Sequence, residues 1–336
     1  MTARLQARRA RHEHLAATLS TLDDGALTAL LDTAPAWRNH IHGNQSGVVE
    51  VEGAKIFVKK IALTDLERRP EHVRSTANLF GLPTFYQYGV GSAGFGAWRE
   101  LEAYLRASDW ALSGACPYFP LLHHWRVVSR LSRPMLTPEQ MAWLDDAPAY
   151  WGGSDAVRTR LDAIAAASAT VVLFLEHIPE SLDAWLTQGL AEQPQDPELE
   201  ADTLRLHDQV REAAAFMNAH GMLHFDLHAH NILTDGVEAY VADFGLALCD
   251  DFELSPAERA FFEAHRLYDR SFVTWDLVDR IAKKAPAAPA TALGGLTHRY
   301  DGVTSIFRRF FDGLTKDRKT ARYPSEELAE AFAALG

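Results

Sequence analysis

The run His224-Phe225-Asp226-Leu227-His228-Ala229-His230-Asn231 is followed downstream by Ala242-Asp243-Phe244-Gly245. Four residues separate Asp226 from Asn231, and eleven separate Asn231 from Asp243. Two carboxylates and an amide at these spacings suit metal-assisted phosphoryl transfer. Such a reaction asks the protein mainly to position groups and to neutralise phosphate charge. Magnesium takes hard oxygen ligands and keeps some of its waters, so one carboxylate and one amide oxygen are a sensible protein contribution. A further carboxylate can accept or orient the proton of an attacking hydroxyl. Two blander readings compete. Aspartate and asparagine are common turn formers, which accounts for any one of these residues but not for three in this order. His224, His228 and His230 could also begin a zinc site, although no paired-cysteine or H-E-x-x-H signature accompanies them.

The flanking pattern supplies elements to carry these residues. Leu206, Val210, Ala213, Ala214 and Met217 fall on one face of a helix over 202–220, with Gly221 as its stop. Ile232-Leu233, a Thr-Asp-Gly turn at 234–236 and residues 237–242 read as a hairpin. Helix, loop and hairpin together would present Asp226, Asn231 and Asp243 on one side of a rigid base. Upstream, residues 48–61 read as two strands with a turn near Gly53, and strand alternation sends Lys59 and Lys60 to opposite faces. The apolar run 170–175 reads as a buried strand. Helices are expected at 22–31, capped near Asp23, at 138–144, at 154–167, and in the tail at 303–311 and 326–335.

In these motifs the chain resembles protein kinases. H-x-D-x-x-x-x-N is similar to their catalytic loop, Asp243-Phe244-Gly245 to their D-F-G segment, and Ile56-Phe57-Val58-Lys59 to their V-A-I-K strand. The resemblance spans roughly residues 41–278. It implies an α+β, bilobal protein kinase-like fold, with a small β-rich N-lobe and a larger, mainly helical C-lobe. It implies ATP and Mg2+ as cofactors, Asp226 as catalytic base, His224 as a structural tie, and Asn231 and Asp243 as magnesium ligands. Lys59 would hold the nucleotide phosphates and Glu100, on the helix containing Trp98–Leu105, would hold Lys59, with Glu102 as the alternative. The segment 41–49 stands in the place of the glycine-rich loop, giving Gly43, Gly47 and Val49 as nucleotide contacts, although His42 and Asn44 stand where glycines are expected. Main-chain groups near Glu176 to Ile178 would meet adenine. Asp269 would brace the catalytic loop.

Departures from the family pattern bear on the acceptor. Phe225 replaces the arginine of H-R-D, which pairs with a phosphate on the activation segment, and no clear A-P-E follows. His-x-Asp-Leu-His resembles aminoglycoside and choline phosphotransferases, whereas Asp-Phe-Gly-Leu-Ala looks more like a protein kinase. A serine/threonine protein or peptide kinase is therefore the expectation, by a slight margin over a small-molecule O-phosphotransferase. A non-catalytic nucleotide-binding pseudokinase is the third reading. Gly89-Val90-Gly91-Ser92-Ala93-Gly94 formally matches G-x-G-x-x-G, but it follows Lys59 and reads as a flexible loop.

With 336 residues, 47% hydrophobic and 23% charged, the chain reads as a soluble globular protein able to bury a substantial core. A net charge of −12 argues against nucleic-acid binding, and no apolar run is long enough for a membrane span. Two cysteines make no disulfide framework and suggest a reducing, cytoplasmic setting. The arginine-bearing N-terminal segment reads as a solvated helix. The expected division is a helical extension at 1–36, an N-lobe with insertions (62–97 and 131–169) at 37–175, a C-lobe at 176–282, and at 283–336 an alanine- and proline-rich linker (283–295) with a helical tail.

Overall fold

A computed structural model describes the whole chain except residues 1, 41–43, 90, 130–136, 193–195, 285–290, 317–320 and 336. The chain divides into two compact units, Met1–Pro83 with Ala93–Ile178, and Thr84–Ser92 with Pro179–Gly336.

The first unit runs α1 (Ala3–Thr21), α2 (Asp24–Asp32), β1 (Trp37–Asn39), β2 (Gln45–Val51), β3 (Ala54–Leu63), α3 (Ala97–Ser113), β4 (Leu122–Ser129), α4 (Pro138–Tyr150), α5 (Asp155–Ala166) and β5 (Ala169–Glu176). The strands form an antiparallel sheet in the order β1-β2-β3-β5-β4. Glu52 and Gly53, both at positive φ, turn β2 into β3, the geometry that matches strand twist in a two-residue hairpin. Alternation gives the sheet two apolar faces. On one, Val49, Val51, Ile56, Val58, Val172 and Phe174 pack with leucines of α1 and α2; Lys59 lies on the other. Asp23 caps α2 as its sequence predicts, accepting the Ala26 N–H at 2.8 Å.

Helix α1 departs from the expectation of a solvated helix. Leu5, Arg8, Leu15 and Leu19 form a buried face. Arg8 donates to Glu176 Oε2 at 2.7 Å and to the carbonyls of Pro117 and Phe119. The arginines masked the leucine stripe at helical spacing that lies beneath them.

The second unit runs β6 (Glu180–Ser181), α6 (Leu182–Glu192), α7 (Pro197–Ala219), β7 (Met222–Leu223), β8 (Ile232–Thr234), β9 (Ala239–Val241), β10 (Leu248–Cys249), α8 (Pro256–Ala264), α9 (Tyr268–Lys284), α10 (Ala292–Arg299), α11 (Asp301–Lys316) and α12 (Ser325–Ala333). Two small sheets, β6-β8-β9 and β7-β10, flank the segment 224–231. Helix α9 is central, and Tyr268 and Phe272 on it meet the rings of Phe225 and Phe307. Residues 285–290 of the expected linker lie outside the described residues, while α10 shows that its far end is helical.

The class is α+β, and a small antiparallel sheet in one unit with mainly helical structure in the other is consistent with a bilobal kinase-like fold. Among the described residues, no helix is long and apolar enough to cross a membrane.

Candidate active site

Asp226 is held from several sides. Asn231 Nδ2 donates to its Oδ2 and to its main-chain oxygen, both at 2.9 Å. His228 Nε2 lies 3.5 Å from Oδ1. His224 ties the loop to the strand ahead of Asp243: Nε2 lies 2.9 Å from the Ala242 carbonyl, and Nδ1 lies 3.2 Å from the Asp226 N–H. A carbonyl only accepts and an amide N–H only donates, so the ring is neutral, with its proton on Nε2. The same bonds commit both ring nitrogens, which removes His224 from the zinc alternative. Among the described residues, no group of three or more His, Cys, Asp or Glu is placed to hold a metal.

Beneath the loop, Asp269 accepts the N–H groups of His224 at 2.6 Å and Phe225 at 2.8 Å. Burial pushes its carboxyl up to about 6, while these two donors pull it down. Phe225 sits at φ 63°, a conformation costing on the order of 1–3 kcal/mol for a residue with a side chain. It is over-determined there by the Asp269 bond and by rings of Phe261 and Tyr268 at 5.6 and 4.8 Å. A phenylalanine here fills an aromatic core instead of offering a charge to a phosphate. A second brace escaped sequence reasoning. Asp276, two turns along α9, accepts the Ala229 N–H at 2.7 Å and is paired with Arg280, which also meets Asp183. Nothing in the spacing of lone charges on a helix signals such a contact.

Asn231 and Asp243 end the same hairpin. Ile232 pairs with Val241, and the Ala242 N–H bonds the Asn231 carbonyl at 2.9 Å. Asp243 is therefore the next residue beyond the partner of Asn231. With Asn231 Nδ2 turned to Asp226, its Oδ1 is the atom left for a cation. One carboxylate and one amide oxygen, both hard and both only partly buried, fit magnesium that keeps water and phosphate ligands.

Segment Thr84–Ser92 belongs to the second unit, and the first residue of the glycine run, Gly89, is packed there. The Gln87 amide donates to the Leu246 carbonyl, and the Tyr88 hydroxyl meets His265 Nε2 at 2.7 Å. A Cβ on Gly89 would stand 2.4 Å from Asp226 Oδ1. Only glycine leaves that carboxylate where it is. Gly89→Ala is expected to displace it and lower kcat roughly tenfold or more, with little change in melting temperature, since the backbone of Gly89 lies outside the left-handed region. Turnover equal to the parent protein would sink this reading.

In the first unit, Lys59 Nζ lies 2.6 Å from Glu100 Oε1, both nearly buried. Glu102, the alternative, pairs with Arg74 at the surface. Lys60 projects to the other face, its Nζ 3.3 Å from the Trp37 ring centroid. Lys59→Met is accordingly expected to weaken nucleotide-dependent turnover about a hundredfold, the scale of losing a positioned contact, and Lys60→Met to leave it nearly unchanged. Steady-state kinetics of both variants check this.

The nucleotide contacts expected around the glycine loop need correction. Gly43 lies outside the described residues. Gly47 is inside β2, where a Cβ would press at 3.0 Å on the Ala36 carbonyl and Trp37 ring; its glycine serves strand packing. Val49 pairs with Ile56 and joins the core under α1 and α2, on the face opposite Lys59. Ser46, registered opposite Lys59, and Val48 share the lysine's face. At the end of β5, the Glu176 N–H is taken by the Leu121 carbonyl at 2.8 Å and the side chain by Arg8. Ile178, half-buried, is the last residue of the first unit. Ser255-Pro256-Ala257-Glu258 is a capping box opening α8, with Glu258 accepting from both the Ser255 N–H and hydroxyl.

No protein-family model and no curated protein sequence matches this chain. Among solved structures, one of WaaP in complex with acyl carrier protein is similar over 92% of this chain and 90% of that chain, at 14% identity and a TM-score of 0.41.

Proposed function

We propose that this protein is an ATP- and magnesium-dependent O-phosphotransferase that acts on a small hydroxyl-bearing acceptor. The observation that carries the proposal is the hairpin end at which Asn231 holds the Asp226 carboxylate and stands beside Asp243. Asp243 and Asn231 Oδ1 would hold magnesium, which when bound neutralises charge on the phosphates. Asp226 accepts the proton of the acceptor hydroxyl. His224 and Asp269 fix the loop that carries it. Lys59, aligned by Glu100, binds the nucleotide phosphates.

Two features favour a small acceptor over the serine or threonine of a peptide. The chain after Asp243 has little length for a peptide platform: Leu248 and Cys249 pair with β7 at once, and the cap of α8 follows at Ser255. Phe225 also removes the arginine through which activation-segment phosphorylation orders such a platform. ADP release from MgATP, measured across small alcohols (aminoglycosides, choline, sugars) and across serine/threonine peptides, tests the proposal. Release stimulated by a small alcohol and abolished by EDTA is expected. Transfer of γ-phosphate to peptides alone would restore the protein-kinase reading. Magnesium-dependent ATP binding without transfer to any acceptor would favour a non-catalytic nucleotide-binding module.

A further inference from the structure

Helix α3 delivers Glu100 to Lys59, yet its first residue, Ala97, follows Gly96, which has no side chain to cap it. The cap comes from Glu67, thirty residues upstream of Ala97. Glu67 Oε1 accepts the Ala97 N–H at 2.7 Å. Its Oε2 accepts from the Thr64 N–H at 3.1 Å, the Thr64 hydroxyl at 2.6 Å and Arg160 Nη1 at 2.9 Å. The Glu67 carbonyl accepts the Trp98 Nε1–H at 2.9 Å, and Arg99 Nε donates to the Thr76 carbonyl at 2.6 Å. Glu67 and Arg160 are each 2% exposed. Every one of these bonds to the first turn of α3 comes from the segment between Lys59 and α3, and Arg160 comes from α5. The two segments that lengthen this unit relative to a kinase-like pattern thus converge at one helix end.

We propose that Glu67 and Arg160 are positioning residues for the Lys59–Glu100 pair. A carboxylate at a helix N-terminus satisfies an N–H that has no partner within the helix and complements the helix dipole. Arg160 holds that carboxylate in place from behind. The first turn, and Glu100 at its end, are thereby fixed by the fold itself, with no modification or partner required to bring the glutamate to the lysine. The functional half of this inference rests on the phosphotransferase reading, in which the pair holds nucleotide phosphates.

Removing Glu67 alone would leave Arg160 buried without its carboxylate, so the test uses the double variant Glu67→Ala/Arg160→Leu. Glu102→Gln, on the same helix, is the control. Amide hydrogen exchange at 97–103 in the double variant is expected to accelerate about tenfold, the equilibrium equivalent of a lost helix cap. The dissociation constant for MgATP should rise by about the same factor, while Glu102→Gln changes neither. Unchanged exchange and unchanged MgATP affinity in a folded double variant would overturn the proposal. If the double variant does not fold, Gly96→Ala decides: its Cβ would stand 2.9 Å from Glu67 Oε1 and should loosen the cap in the same direction, and no change in either readout would overturn the proposal. A parent protein that binds no MgATP would defeat the phosphotransferase reading, whereas the exchange comparison would still decide the cap.

Discussion

Replacing Asp226 with asparagine is expected to lower kcat by about 10²–10⁴-fold, the range of a lost general base, while leaving MgATP affinity nearly unchanged. Asparagine has the shape of aspartate and can still accept from Asn231 Nδ2 through its own carbonyl oxygen. What it lacks is basicity at the oxygen that faces His228. The Asp226 side chain is 26% exposed, and the loop around it is braced by Asp269, Asp276 and His224. The variant should therefore keep its fold and lose its chemistry. Asp243→Asn should behave differently and lose magnesium-dependent nucleotide binding along with turnover, because its carboxylate is proposed to meet the cation and not the acceptor. Single-turnover kinetics and nucleotide titrations of the two variants separate the roles. An Asp226→Asn protein with parental kcat would remove Asp226 from the chemistry.

The second large effect is on stability in acid. His123, His207 and His265 are buried, and burial lowers each to about 4. His265 shows the reason in its bonds: Nδ1 meets the Phe261 carbonyl at 2.6 Å and Nε2 the Tyr88 hydroxyl, an arrangement for a neutral ring. Between pH 6.5 and 4 the unfolded chain binds protons at these sites that the folded protein refuses. Stability thus falls as pH falls through that window, by about 3 kcal/mol per histidine once pH 4 is reached. Asp269 acts oppositely. Its folded carboxyl takes a proton near 6 and its unfolded one near 3.8, so acid favours the fold there and offsets about one histidine. Three histidines outweigh one aspartate, so for these four groups the net effect of acid is a loss of stability. Urea midpoints between pH 7 and 4.5 should drop steeply. His207→Leu should flatten the slope by about 1.4 kcal/mol per pH unit, the effect of one proton. A pH-independent midpoint across this range would contradict the neutral, buried state of these rings.

The candidate chemistry was legible from the sequence where it is local. Asp226, Asn231 and Asp243 lie on one loop and one hairpin, so short-range rules of helix stop, turn and strand register suffice to bring them together. The helix over 202–220, the strands around Gly53, the buried strand near 170–175 and the cap at Asp23 were readable for the same reason. Strand alternation likewise separated Lys59 from Lys60, because the side-chain period of a strand is a local property.

Tertiary structure decided whatever depends on contacts between distant segments. Which face of β2 the valines occupy depends on what covers the sheet, and α1 and α2 claim the face that holds Val49. The arginines of α1 looked like solvent charges until Glu176 and two carbonyls supplied Arg8 with partners 109 to 168 residues away. Gly89 looked like loop punctuation, and only its approach to Asp226 across the fold gives a reason for having no side chain. The brace Asp276 and the cap Glu67 share this dependence, whereas the brace Asp269 was expected from the resemblance and accepts the His224 and Phe225 N–H groups as expected. Asp276 and Glu67 are lone carboxylates whose sequence neighbours say nothing of the N–H each accepts. A hydrogen bond is made by geometry at about 3 Å, and for groups far apart along the chain that geometry exists only once the chain has folded.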